Sequence, residues 1–228
     1  MTQQRPVNYA CRLLSVALLI VAVPTLADAA DSGVPAKKLI LLNKVVTAGK
    51  AKTVYVAKND AGIQKGAAGD PALLAASFGW FYETEGASSV AGCFTQIHET
   101  SERNRWIKNT ESVAKYVNKD APITSLPTST KVIVVKPAKV AKVVALGLGD
   151  PGVGNGNLFL GAPTAADGIH TVLTIENGND SSTHRMCTQF AADLGSTVVM
   201  KEIAGGTGRK LVAKDGVPAA CLEFGCAP

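Results

Sequence analysis

The sequence predicts an all-β protein built as two tandem homologous β-sandwich-like units of about 95 residues each. Three observations carry that prediction. Runs of β-branched residues such as TVYVA (53–57) and KVIVV (131–135) have strand length. Clusters of Gly, Asn and Asp separate the runs and supply the positive-φ positions that tight hairpins need. Four segments also recur in the same order: KLILLNK (38–44) resembles KVIVVKP (131–137), AKTVYVAKNDAGI (51–63) resembles AKVVALGLGDPGV (141–153), GCFTQ (92–96) resembles MCTQF (186–190), and KYVNKDAP (115–122) resembles KLVAKDGVP (210–218). Offsets that drift by a few residues are expected when small insertions sit in turns.

In chain order, residues 1–29 read as a secretory signal peptide. Arg5 and Arg12 precede the apolar run LLSVALLIVAV (13–23), Pro24 breaks it, and ADA (27–29) has the small-x-small form of a cleavage site. The run is too short to span a bilayer comfortably. The first unit occupies 30–125. TVYVA gives a strand and KNDAG (58–62) a turn, DPALLAAS (70–77) offers Asp70 and Pro71 as the start of one or two helical turns, and FGWFY (78–82) concentrates aromatics. SERNRWIKNTES (101–112) has helical character alone, but its repeat partner reads as strand-turn-strand. APITSLPTST (121–130), rich in Pro, Ser and Thr, is the natural joint. The second unit, 126–228, supplies strands at KVIVV, HTVLTIE (170–176) and STVVMKEI (196–203), with turns at GDPGVGNGN (149–157), ENGND (176–180) and AGGTG (204–208).

Four cysteines follow the signal, and an even count in an exported chain suggests disulfides. The repeat selects a pairing: the second unit has cysteines at both equivalent positions, Cys187 and Cys221, where the first has Cys93 and Ser125. Cys187–Cys221 is therefore expected to tie the end of the last strand to a middle strand. Closing such a loop stabilises by roughly 3–4 kcal/mol on the chain-entropy model. Cys93 and Cys226 are left over, to pair across the units or to leave a free thiol. No C-x-x-C or Cys/His cluster is present, so neither a metal nor a cofactor is expected. The stretch CTQF…KLVAKDGVPAAC (187–221) resembles the C-terminal part of secreted bacterial proteins of unknown function. That resemblance covers about 35 residues by the offset in this chain, implies export and a disulfide, and brings no activity with it.

The formal charge of +5 is mild, aromatics are 5% of the chain, and the lysines are spread along it. Nucleic-acid surfaces want clustered basic residues with interleaved aromatics, so no nucleic-acid partner is expected. No second long apolar stretch exists, so no membrane span is expected after the signal. GLGDPGVGNGN (147–157) and GGTGRK (205–210) have glycines but no following helix to cradle a phosphate. His170 and His184 flank a hairpin with Glu176 and Asp180 nearby, an arrangement that a solvated turn explains without a cation. No nucleophile elbow occurs, and Glu83 with Glu85 is the best carboxylate pair for a hydrolase. Within FGWFY, alternation puts Phe78, Trp80 and Tyr82 on one face. Facing outward, Trp80 and Tyr82 would form a stacking platform for polysaccharide; facing inward, they fill the core. The residues thus predict a secreted or periplasmic, non-enzymatic structural or binding protein whose partner is a polysaccharide or an envelope protein. The alternative is an extracellular hydrolase acting on a polymer at a site between the units.

Overall fold

Among the described residues thirteen strands, most of them joined as hairpins, follow one another along the chain. They are β1 (Ala30–Gly33), β2 (Ala36–Lys44), β3 (Lys52–Lys58), β4 (Leu74–Glu83), β5 (Ser89–Gln96), β6 (Asn104–Thr110), β7 (Val113–Asn118), β8 (Ser129–Lys136), β9 (Val140–Leu146), β10 (Ile169–Asn177), β11 (Ser182–Phe190), β12 (Thr197–Glu202) and β13 (Gly208–Pro218). The structure, a computed structural model, describes residues 30–44, 51–84, 89–96, 104–119, 129–147, 163–164, 167–203 and 208–222. The expected signal peptide, the joint over most of its length, and the glycine-rich segment 149–157 lie outside them. Among the described residues no helix is long and apolar enough to cross a membrane.

Local sequence accounts for the elements. At Asp70–Pro71 the helical start is realised as a single 3-10 turn, Pro71–Leu73, whose Asp70 carboxylate accepts the Ala72 N–H. It stops there because Leu74 opens an alternating apolar run that the sheet claims. The segment around Trp106 is strand, as its repeat partner suggested. Asn59 and Ser181 take positive φ in the tight turns after β3 and between β10 and β11.

The sheet order is β5-β4-β10-β11-β13-β2-β3-β9-β8-β7-β6, with β1 parallel on β11 and β12 on β13. The expectation of two sandwich-like units in tandem needs correction in one respect: the strands do not segregate by half of the chain. β2 lies between β3 and β13, and β8 lies between β9 and β7. Hairpins β2–β3, β4–β5 and β6–β7 and hairpins β8–β9, β10–β11 and β12–β13 instead dock edge to edge, β3 on β9 and β4 on β10. The physical reason is that an isolated hairpin leaves two open edges, and the equivalent hairpin of the other half closes one of them. The four sequence matches fall on strands at equivalent places in this order: β2 and β8, β3 and β9, β5 and β11, β7 and β13.

The sheet curls so that its inner surfaces meet. Leu39, Leu41, Tyr55, Tyr116, Ile133 and Val143 from one part pack in one core with Phe78, Trp80, Tyr82, Leu173, Ile175 and Phe190 from the other. The Tyr55 and Phe78 rings, on facing layers, lie 5.1 Å apart. The two parts join where β11 meets β13 at Thr188↔Pro218 and Gln189↔Val217. Gly216 lets the strands approach, since a Cβ there would sit 2.6 Å from Thr188 Cγ2 and 2.7 Å from the Phe190 ring. The Thr188 hydroxyl donates to Val34 O at 2.7 Å, so at 2.9 Å the Tyr55 hydroxyl must be its donor.

Burial pushes the Tyr55 phenol up to about 12, against partial relief from its hydrogen bond to Thr188. A phenol whose folded pKa is raised stabilises the fold fully below its ordinary value near 10.0 and loses that contribution as pH climbs toward 12. Stability should fall by about 2–3 kcal/mol across that window on account of Tyr55. Urea titrations of wild type and Tyr55→Phe at both ends of the window check this; the variant should show the smaller decline.

Candidate functional site: a lysine-bearing sheet face

The Trp80 and Tyr82 platform is not on the surface. Both side chains are 0% exposed and their rings stack on each other at 5.8 Å. With Phe78 they occupy the inward positions of β4, because the β4–β10 and β4–β5 registers place those positions over the core. A ring with no accessible face cannot stack on a sugar, so these residues are core. Burial also raises the Tyr82 phenol's pKa.

The expected disulfide is present: Cys187 and Cys221 are bonded, with Cα atoms 5.2 Å apart. Cys93 is also disulfide-bonded, which removes the free-thiol alternative for that residue, while Cys226 lies outside the described residues. Cys93, Gly79, Val172 and Cys187 form one row across β5-β4-β10-β11, on the outward side of those strands. His170 and His184 do not converge: His170 pairs in register with Gln189 and His184 with Ile175, five positions along the hairpin, roughly 17 Å. Desolvation lowers the pKa of both imidazoles, in part against the charge of Asp167 at His170 and of Asp180 at His184. No cluster of three metal-ligating groups occurs among the described residues. Glu83 ends β4, exposed, and Glu85 lies outside the described residues. Strands from both halves share one hydrogen-bonded sheet.

The chemically distinctive surface is the outer face of the sheet from β13 to β6, where alternation sends every second side chain away from the core. One row, followed strand by strand, reads Lys214, Lys38, Val56, Lys142, Val134, Lys115, Lys108. The next row reads Val199, Val212, Ile40, Val54, Val144, Val132, Val117, Arg105. The third reads Lys201, Lys210, Leu42, Lys52, Leu146. Beyond the first row stand Lys58 and Lys136, either side of Val140. A ridge of β-branched side chains thus runs between two lysine rows, roughly 30 Å long at ~4.8 Å per strand. The two lysine rows are about 13 Å apart at four residues.

No carboxylate occupies any position in these rows. Most of these lysines are exposed, and Lys38 and Lys115 are half-buried. Val56, flanked by Lys38 and Lys142, is 7% exposed although it points outward, as expected where lysine stems lie along apolar neighbours and hold their ammonium groups in water. Three pairs set like charges directly opposite each other: Lys38 with Lys214, Lys108 with Lys115, and Lys201 with Lys210. Such pairs destabilise a sheet. The dispersal of lysines in the sequence, from which nucleic acid was excluded, is therefore not their dispersal in space. The signal was present as single lysines at outward positions of successive strands, but only the strand order assembles them. No protein-family model, curated protein or solved structure matches the chain.

Two substitutions separate the core aromatics from this face. Trp80→Ala should cost about 3–5 kcal/mol of stability, as for other large-to-small changes in a close-packed core, read as a lowered urea midpoint. Lys38→Glu, which turns a like-charge pair into an opposite-charge pair, should raise stability by about 0.2–1 kcal/mol. The gain should shrink with added salt.

Proposed function

We propose that the chain is an exported, non-enzymatic binding module that holds an anionic polysaccharide of the cell envelope or exterior on its lysine-bearing face. The observation that carries this reading is the set of three lysine pairs directly opposed in rows that hold no carboxylate. A sheet tolerates such repulsion at a cost, and a polyanion laid across the rows offsets it. The basic N-terminal region, the apolar run after it and the disulfides support export. The likeness of residues 187–221 to secreted bacterial proteins points the same way. Correspondence of the hairpins of residues 30–125 with those of 126–228 supports an origin by duplication of a three-hairpin unit.

The chemistry of the face favours an acidic sugar polymer over other polyanions. Lysines are point charges that accept carboxylate or sulfate from many directions, and only Arg105 offers a planar fork for bidentate recognition. The rows carry no aromatic ring on which a base would stack or which would anchor at a bilayer interface. Their β-branched ridge is level with the lysine stems and matches the apolar C–H face of a sugar chain.

Binding to an immobilised acidic polysaccharide, to its uncharged counterpart, to anionic vesicles and to single-stranded nucleic acid tests the reading. The acidic polymer should be retained preferentially, with log K falling linearly as log salt rises. At ~1 kcal/mol per lysine near an anionic surface, Lys38→Glu combined with Lys142→Glu should weaken binding about tenfold or more. Equal retention on the uncharged polymer, or stronger binding to vesicles or nucleic acid, would overturn it.

A further inference from the structure

Lys65 is the one lysine in the described residues that lies inside the molecule, 1% exposed. It sits in the segment 59–70, which connects β3 to the 3-10 turn and straps across one end of the curled sheet. The strap is held by the β10–β11 turn. Asn177 Nδ2 donates to Lys65 O at 3.0 Å and to Ala67 O at 2.8 Å, and the Asp180 carboxylate accepts the Ala67 N–H at 2.6 Å. At Gly66, φ is +73° and a Cβ would meet Ser182 Oγ at 2.3 Å, so the strap has little room to shift. The Gly69 N–H bonds Asn109 O at 3.0 Å, which fixes the strap against the end of β6.

Within this frame Lys65 Nζ donates to Gly66 O at 3.0 Å and to Asn109 Oδ1 at 3.1 Å. One carbonyl bond from that oxygen, Asn109 Cγ is within about 4.3 Å of the amine. Asn109 is itself 5% exposed, and its Nδ2 is buried without a hydrogen-bond partner. A buried amine thus faces a buried carboxamide whose leaving nitrogen is held by nothing.

We propose that Lys65 and Asn109 condense spontaneously into an intramolecular amide that cross-links the strap to β6. The neutral amine's lone pair attacks Cγ, the Cγ–Nδ2 bond breaks, one Nζ hydrogen passes to the departing nitrogen, and ammonia leaves. The atoms balance as amine plus amide giving amide plus ammonia, with no oxidant, reductant or other reactant. Desolvation lowers the Lys65 pKa and so favours the neutral, nucleophilic form. The charges of Glu111 and Asp180 act on Lys65 in the opposite sense and offset part of that shift. Fixed geometry keeps amine and carboxamide together for the life of the fold, so an ordinarily slow aminolysis becomes accessible once the amine turns its lone pair from Oδ1 toward Cγ. Departure of Nδ2 also relieves an unsatisfied buried donor.

The cross-link closes a 44-residue separation and anchors β6, the last strand of the sheet. Unlike Cys187–Cys221 it survives reduction.

Intact mass spectrometry of the full chain, reduced and denatured, should show a mass lower by one ammonia. Proteolysis should then yield a branched peptide joining Lys65 to Asn109. Asn109→Asp, nearly isosteric, should give the same branched peptide with loss of water, and Lys65→Met should give neither. The wild-type branched peptide decides the matter even if a variant fails to fold. Its absence, with or without a mass loss, would overturn the proposal.

Discussion

The structure depends on one buried polar junction. Tyr55 on β3 donates to the Thr188 hydroxyl on β11, which donates to Val34 O between β1 and β2. All three residues are at most 1% exposed. An unpaired hydroxyl in such a place costs about 1–3 kcal/mol, so a geometry satisfying both hydroxyls is strongly preferred over its neighbours. Those hydrogen bonds reach from one layer to the other and fix how the sheet curls. The same residue, Thr188, pairs in register with Pro218 where the two layers join, and two residues earlier Gly216 gives it space. Apolar packing supplies most of the driving force, but it is non-directional; the junction gives the curl a direction.

Once the curl is set, the two outer faces have different fates. Outside β11, Cys187 is bonded to Cys221 and Arg185 donates to Leu222 O, so the segment after β13 is tacked over that layer. β1 and then β13 take turns along the free edge of β11. Outside the layer from β13 to β6 most of the row lysines are exposed. The alternation that sends Leu39 and Leu41 into the core sends Lys38 and Leu42 out of it, so core and charged face arise from one period-two pattern.

Strand positions were legible in the sequence because a strand is local: β-branched runs and turn residues identify TVYVA, KVIVV and HTVLTIE without knowledge of their neighbours. The Cys187–Cys221 bond was legible because the repeat supplied equivalent positions. Strand order was not, since β2 pairs with β13 across most of the chain and nothing in either segment names the other. The lysine rows share that limitation: a strand contributes at most one or two of their lysines, and the rows exist only across up to seven strands. FGWFY was ambiguous for a different reason. Alternation assigns Phe78, Trp80 and Tyr82 to a common face but cannot say which face is inside. The Lys65–Asn109 contact joins an irregular strap to a strand end, where no periodicity applies.

Like charges opposed across three strand pairs weaken the layer that bears them, so its stability must come from elsewhere. It comes from the reverse side of the same strands and from the ends of the sheet. Tyr55, Tyr116, Ile133 and Val143 are buried under the lysine rows. The Trp106 ring packs edge-on against Tyr116 at 5.7 Å near the last strand. Strap and 3-10 turn clamp the end of β6 and the β10–β11 turn through backbone bonds from Gly69 to Asn109 O and from Gly178 to Leu73 O. These contacts are buried or directional, and salt and counterions screen them far less than they screen the exposed lysines. A fold arranged this way can carry an unbalanced charged face whose repulsion varies with its surroundings without its architecture varying too. That separation of a packed interior from an exposed, salt-sensitive surface is what the proposed reversible retention of a polyanion requires.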